Sequence, residues 1–292
     1  MALQSSGQIS LQDIANEFGG STPHSLSEYY RNGSFVTSNN TNVPTSGQID
    51  FGDFYGAVKQ ITVTVSSSAT NQSVQTLFGS NFTVNVPKVL IINSGVEIGA
   101  TSTNNSALTV PSGMAGTLNI QNAGTISGAG GAGGSAGGGN GGDGETALFV
   151  GSNGVTVTNT GTIRGGGGGG GGGSNGSQGG SINPAGGVVC FSGTPGTGGA
   201  GGNGQGYNQS QSNGAGGTAA GPGSSNFPGF GDFVCGGFNQ STGGGTGGNG
   251  GTYGNAGASA GGSGGSAGKY IKTGSGVSVS ISNSGTLQGN AP

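Results

Sequence analysis

The chain has 292 residues, of which 76 are glycine, while charged residues make up only 5% and the formal net charge is −3. An ordinary globular domain, with roughly 7% glycine, is a poor match to this composition. The scarcity of basic residues excludes a surface that neutralises a run of phosphates, so we expect no nucleic-acid partner. No apolar stretch approaches the roughly 20 residues of a membrane span, and the opening MALQSSGQIS lacks the basic and apolar parts of a secretory signal. We therefore expect synthesis in a cytoplasm and no membrane insertion.

Residues 1–58 carry most of the helical pattern. Ser10 is placed as an N-cap, and Gly19-Gly20 would end a helix whose apolar residues have helical spacing: Leu11, Ile14, Ala15 and Phe18. A second short helix is predicted from Ser25 to Arg31. The segment begins and ends on similar sequences, SGQISLQDI and SGQIDFGDF. We interpret it as a small α/β docking module.

Alternation of apolar residues replaces the helical pattern from Lys59 onward and predicts strands at 61–65, 82–86 and 89–91. A unit then recurs in which a short apolar alternation leads into Asn-x-Gly-Thr-(Ile/Leu)-x-Gly, at 122–128, 159–165 and 283–289, with a weaker copy at 91–95. Strand, Asn/Gly turn and strand at fixed offsets are what stacked rungs of a β-solenoid require. We assign a β-rich stalk to 59–127 and a closing β rung to 269–292.

Residues 128–268 contain 59 of the 76 glycines. Blocks at 193–204 and 243–257 keep glycine in phase every three residues. A period of three matches the extended threefold helix, which has no internal hydrogen bonds and must therefore pair with close neighbours. A collagen triple helix needs a long, strict Gly-X-Y repeat with abundant proline. The chain has only 9 Pro, so we reject collagen. The sequence therefore predicts a mainly β protein joined to a bundle of polyglycine type II helices.

Three segments interrupt the glycine blocks, at 181–192, 205–213 and 224–242. Loops on a rigid scaffold are common binding positions, so their apolar side chains are candidate contacts to saccharide rings or to a receptor loop. The alternative is that they form small clusters that cap the ends of the scaffold. The candidates are Val188, Phe191, Tyr207, Phe227, Phe230, Phe233 and Phe238.

The two cysteines lie in two of these loops. If successive glycine runs alternate in direction, the loops at 181–192 and 224–242 emerge at one end and the loop at 205–213 at the other. Cys190 and Cys235 would then be close, and a disulfide between them would stabilise the fold by about 3 kcal/mol. The alternative is two free thiols.

The sequence offers few of the residue groupings that catalysis requires. His24 is the only histidine, so His-based triads and Cys/His metal sites lack a second partner. Asp143 and Glu145 are close in sequence but follow a glycine run and indicate a solvated bend. We predict a non-enzymatic protein with no catalytic residue, metal or cofactor.

The glycine-rich region at 128–268 resembles the tip adhesins of T-even-like phages, in which polyglycine helices carry distal receptor-binding loops. The opening segment, SGQISLQDIANEFGG through LSEYYRNGSFV to SGQIDFGDFYGA, is similar to N-terminal modules of structural and tail-fibre proteins of marine and cyanobacterial phages. The resemblance implies a tail-fibre adhesin in the virion. Its module would dock on another virion protein, and its loops would bind a host surface polysaccharide or outer-membrane protein.

Other functions fit parts of the same pattern. A capsid decoration protein or head fibre would share the module and differ in its docking partner. Some ice-binding proteins are also bundles of polyglycine helices, although they need a flat face and short loops. A spacer that forms homo-oligomers within a fibre is a further alternative.

Overall fold

The computed structural model describes residues 2–178, 194–221 and 241–291, together with the backbone of 189–191 and 224–226. Its centre is a three-sided β-helix, in which each turn of the chain adds one strand to each of three parallel sheets. The first two rungs contain β1 (Ile61–Val65), β2 (Ala69–Thr70) and β3 (Gln72–Ser73), then β4 (Lys88–Ile92), β5 (Glu97–Gly99) and β6 (Leu108–Val110).

The later rungs repeat this arrangement. The third contains β7 (Leu118–Asn122), β8 (Thr125–Ser127) and β9 (Leu148–Val150), and the fourth begins with β10 (Val155–Asn159) and β11 (Thr162–Arg164). After β12 (Val189–Phe191) and β13 (Ser224–Asn226), which lie apart, the fourth rung closes with β14 (Ile271–Thr273), and β15 (Val279–Asn283) and β16 (Thr286–Gln288) form the fifth. The predicted stacking of the Asn-x-Gly-Thr units is confirmed, since the three copies pair in register.

The interior of the β-helix is filled by inward-facing aliphatic side chains of successive rungs. Leu90, Ile120 and Val157 share one column, and each is at most 1% exposed. Helix α2 (Val74–Phe78) and the 3-10 helix Gly79–Thr83 add Val74, Phe78 and Phe82 to this core.

A ladder of asparagines continues the same sheet at the end of its strands. The Asn122 Nδ2 donates to Asn159 Oδ1 at 2.7 Å, and the Asn159 Nδ2 donates to Asn283 Oδ1 at 2.7 Å. Each amide also bonds to a nearby backbone carbonyl, such as that of Gly161. The ladder ends against Ile92, and the buried Asn122 Oδ1 on that side has no hydrogen-bond partner. Asparagine in the repeat therefore serves both the turn and the stacking of rungs.

One detail of the strand prediction was wrong. Residues 82–86 were predicted as a strand, but Phe82 lies in a 3-10 helix and 84–86 form a bend, because Phe82 turns inward to fill the end of the core. In β4, Leu90 and Ile92 face the core, because parallel pairing aligns Leu90 with Ile120.

Residues 2–58 have a hydrophobic core of their own, built around Phe18, Tyr29 and Phe54. The predicted helix is present as α1 (Leu11–Phe18), with Ser10 as its N-cap and Gly19 at its C-cap, while the second helix is a shorter 3-10 turn, Leu26–Tyr29. A further 3-10 turn is Phe51–Phe54. The α/β description of this segment was wrong, since its described residues hold only an isolated bridge, because the Ser/Asn/Gly-rich stretch at 32–47 forms turns.

The two similar sequences at the ends of this segment have the same local structure. Ser10 accepts from the backbone N–H of Asp13, and the Asp13 carboxylate accepts from the Ser10 N–H. Asp50 caps the second copy and accepts from the Gly52 N–H, and the Asp53 carboxylate accepts from the Asp50 N–H. The repeat therefore encodes a reciprocal helix cap twice.

The glycine-rich segments are insertions in the β-helix, between the second and third strands of rung three (residues 128–146) and of rung four (165–268). They run as extended segments that bond laterally through the backbone. The run that begins at Gly165 is surrounded by six others. Its N–H groups donate to the runs at 139–145, 196–205 and 255–258, and its carbonyls accept from those at 131–134, 245–251 and 262–268.

This enclosure explains nine consecutive glycines at 165–173, all of them buried. A Cβ at any of these positions would approach a backbone carbonyl oxygen of a neighbouring run closer than 3.0 Å. Outer runs face solvent on one side, so their third position can vary. There the side chains of Asn, Asp, Ser and Thr on one run accept hydrogen bonds from backbone N–H groups of the next run, as Asn203 does from Gly133 at 2.9 Å.

Candidate functional site

The glycine-rich scaffold has two unlike ends. At one end its runs join the β-helix, where the Gly128 N–H donates to the Arg164 carbonyl at 2.8 Å. At the other end, which we call the distal end, the runs lead into the segments at 179–193 and 222–240. Here the Gly176 N–H donates to the Gly196 carbonyl, and the Ser177 N–H donates to Thr242 Oγ1 at 2.7 Å. Stacked runs thus deliver both segments to the same face of the molecule.

A two-stranded antiparallel pair joins the two distal segments directly. β12 pairs with β13, so that Val189 faces Asn226 and Phe191 faces Ser224. The argument from alternating run directions predicted this proximity of the loops at 181–192 and 224–242. Cys190 pairs in register with Ser225, whereas Cys235 lies outside the described residues.

Most of the predicted contact residues also lie outside the described residues. Phe191 has a described backbone position in β12. The residues outside are Val188, Phe227, Phe230, Phe233 and Phe238.

Tyr207 lies at the end of the scaffold that joins the β-helix. It occupies a tight turn in which Gly206 and Gln209 exchange backbone hydrogen bonds of 2.9 Å, and its own N–H donates to the Gly128 carbonyl at 3.1 Å. Its ring packs directly on Gly99 of β5, where any Cβ would overlap it. Tyr207 is half-buried and fastens the scaffold to the β-helix.

A second contact at this junction centres on Arg164, the last residue of β11. Its guanidinium carbon lies 3.8 Å from the centre of the Tyr253 ring, and its Nη2 lies 3.1 Å from Glu97 Oε1. The Arg164 Nε donates to Ser127 Oγ at 2.8 Å. Burial raises the pKa of the Tyr253 hydroxyl. Sequence reasoning missed this cluster, although an arginine directly before nine glycines was a visible signal.

The described rim of the distal end is uncharged and rich in hydroxyl groups. Thr197 Oγ1 lies 3.0 Å from Thr218 Oγ1, and Ser177 Oγ lies 3.2 Å from Thr242 Oγ1. All four residues are exposed. Over the whole interval 179–242, Asp232 is the single charged residue. Such a surface can recognise a partner through hydrogen bonds and apolar contact, with little contribution from ion pairing.

In the described part of the chain, no cluster of three or more His, Cys, Asp or Glu side chains has the geometry to hold a metal ion. Within the same residues, no helix has the length and apolar character needed to cross a membrane.

Comparison with known proteins identifies the fold. The chain is similar to a chain in the crystal structure of the gp37–gp38 adhesin tip complex of the bacteriophage S16 long tail fibre, with 19% sequence identity, a TM-score of 0.55, and coverage of 99% of each chain. No curated protein matches by sequence. The family model for the phage tail fibre adhesin Gp38 matches residues 60–292, which include the β-helix and the glycine scaffold. The chain therefore belongs to the Gp38 family of phage tail fibre adhesins and is a component of the virion.

Proposed function

We propose that this adhesin binds its host through the distal loops at 181–192 and 224–242. The observation that supports this most directly is the β12–β13 pair, which joins both loops at the end of the scaffold farthest from the β-helix. Aromatic side chains in those loops would supply apolar contact area, and the hydroxyl-rich rim would supply hydrogen bonds. The partner would be a host surface polysaccharide or an outer-membrane protein.

The test is adsorption of the purified chain to host cells, compared with a variant in which Phe227, Phe230 and Phe233 are all replaced by Ser. We expect adsorption to be lost while the thermal unfolding of the β-helix is unchanged. Unchanged adsorption would rule out the aromatic loops as the binding site. Adsorption should also vary little between about 0.05 and 0.5 M NaCl, because screening weakens only charge interactions.

The scaffold is proposed to consist of polyglycine type II helices. Lateral bonding at intervals of three residues and six neighbours around the run at Gly165 support this. A crystal structure should then find φ near −75° and ψ near +145° through the run, the values of an extended threefold helix. Sustained β-strand dihedrals there would contradict the proposal.

Attachment to the virion is assigned to the N-terminal module, residues 1–58, with 59–127 as stalk, 128–268 as scaffold and 269–292 as the closing rung. The similar chain from phage S16 was crystallised with gp37, a second fibre protein. By analogy, the module here would dock on a fibre protein of its own phage. Deletion of residues 1–58 should abolish incorporation into virions while purified protein still adsorbs to cells. Incorporation without the module would contradict this role.

A disulfide between Cys190 and Cys235 would stiffen the distal loops. The pairing of β12, which contains Cys190, with β13, which begins the segment that leads to Cys235 in sequence, supports this bond. Intact mass after alkylation, with and without prior reduction, decides the matter. Two alkylated thiols in the unreduced protein would exclude the bond.

A further inference from the structure

A groove follows the junction between the N-terminal module and the first rungs of the β-helix. One part is a cleft of about 270 Å³ lined by Tyr55, Ala57 and Asn40 of the module and by Val84 and Val86 of the β-helix. An adjoining cleft of about 710 Å³ continues past Val84 and Val86 toward Gly116 and Thr117. Val84 and Val86 line both clefts, so the two form one continuous groove.

The wall of the groove is held in place by a buried lysine. Lys88 is 1% exposed, and its Nζ donates to the carbonyls of Val84 at 2.7 Å, Val86 at 3.2 Å and Ala115 at 2.7 Å. Three charge-assisted hydrogen bonds hold the bend at 84–86 in place. The side chain of Val84 is thereby presented to solvent on a rigid support, which reduces the entropy cost of binding.

Exposed apolar surface is concentrated near this groove. The large apolar side chains that stand out as exposed in the described residues are Phe51 at 41%, Tyr55 at 37% and Val84 at 44%. Tyr55 and Val84 both line the smaller cleft, one from each side of the junction. Paired apolar side chains across a groove are typical of an interaction surface.

The module that forms one wall of the groove is acidic. Residues 1–58 hold five carboxylates, Asp13, Glu17, Glu28, Asp50 and Asp53, against one Arg, a net charge of −4. Asp53 lines the smaller cleft itself. The remaining 59–292 hold four carboxylates and five basic residues, a net charge of +1. A partner that fits this end is therefore cationic as well as apolar.

We propose that the groove binds one extended segment of the fibre protein that carries this adhesin. An apolar side chain of that segment would sit between Tyr55 and Val84, and basic side chains beside it would face the carboxylates of the module. The inference rests on the proposed attachment role and adds that the β-helix contributes directly to the docking site through Val84. The adhesin would then be held at a fixed angle, since the partner contacts both bodies.

The test measures the affinity of the full-length chain for the purified distal part of the fibre protein of the same phage. Val84→Ser should weaken binding about tenfold, because the variant loses the apolar area that Val84 would bury against the partner. Phe51→Ser is the matched control, because Phe51 is equally exposed on the same module but does not line the groove. Tyr55→Phe keeps the ring and removes the hydrogen bond to the Gly7 carbonyl, so it should bind nearly as well as the unmodified chain. Affinity should fall as NaCl is raised.

The outcomes separate this inference from the attachment role. If the unmodified chain does not bind the fibre protein, the attachment role fails and the groove assignment fails with it. If it binds and Val84→Ser has no effect, or if Phe51→Ser weakens binding as much, the groove assignment alone is overturned. Self-association that depends on Val84, without fibre binding, would assign the groove to a second copy and overturn the proposal.

Discussion

Replacement of Gly169 by Ala tests whether the scaffold depends on its innermost run. Gly169 is buried, its N–H donates to the Gly142 carbonyl at 2.8 Å, and its carbonyl accepts from Gly265 at 2.7 Å. An added Cβ would lie closer than 3.0 Å to the carbonyl oxygen of Ala132, which itself accepts from Gly142 at 2.8 Å. Because the obstruction is backbone, no side-chain rotation can relieve it.

The magnitude follows from the bonds that must yield. Moving Ala132 or Gly169 aside weakens two or three backbone hydrogen bonds in a buried site. Each bond contributes about 1 kcal/mol, and each buried group left unpaired costs about 1–3 kcal/mol. We expect Gly169→Ala to destabilise the scaffold by about 3–5 kcal/mol.

Gly216→Ala provides the matched control on an outer run. Gly216 is exposed, and an added Cβ there would meet no atom within 4 Å. This variant should leave stability unchanged or raise it by about 0.4–1 kcal/mol, because alanine lowers the conformational entropy of the unfolded chain. Thermal unfolding and limited proteolysis of the two variants give the comparison. Equal stability of Gly169→Ala and Gly216→Ala would refute the enclosed arrangement.

Three further predictions concern the β-helix and its junction. Asn159→Ala should cost about 2–4 kcal/mol, because Asn122 and Asn283 each lose the hydrogen bond that the Asn159 amide provides, while Gln121→Ala on the exposed face of the same sheet should change stability by less than about 0.5 kcal/mol in thermal unfolding. Arg164→Gln should weaken the contact with Tyr253 by about 1–2 kcal/mol and accelerate amide hydrogen exchange at the junction, whereas unchanged exchange would show that the contact contributes nothing. Burial lowers the pKa of Lys88 below its ordinary value of 10.5. Between the folded pKa and 10.5 the unfolded chain therefore binds more protons than the folded chain, so the free energy of unfolding should rise with pH in this range. Denaturant unfolding across pH should show this rise, and Lys88→Met should remove it.

The sequence predicted the features that depend on local repetition. The Asn-x-Gly-Thr units predicted the stacked rungs because each unit repeats the same turn at the same offset, and Ser10 with Gly19 predicted the limits of α1. Membership of the Gp38 family confirms the prediction of a tail-fibre adhesin and does not support the capsid-decoration or ice-binding alternatives.

Features that depend on distant partners were not predictable in the same way. The inward face of β4 is set by its pairing with β7, because the sequence of β4 is apolar on both faces and alternation alone does not distinguish them. Phe82 was assigned to a strand because no residue near it in the sequence indicates that its side chain fills the end of the core. The role of Lys88 requires carbonyls of 84, 86 and 115 to converge, which only the folded chain reveals.

The enclosed glycine run has a consequence for the response of the adhesin to temperature. Its unfolding would expose mainly peptide groups, and hydration of polar surface lowers the heat capacity, whereas hydration of apolar surface raises it. The scaffold should therefore have a smaller heat-capacity change per residue than the aliphatic β-helix beside it. Its stability curve should be correspondingly flat, so that the distal loops keep their support in cold water, where hydrophobic cores lose part of their driving force.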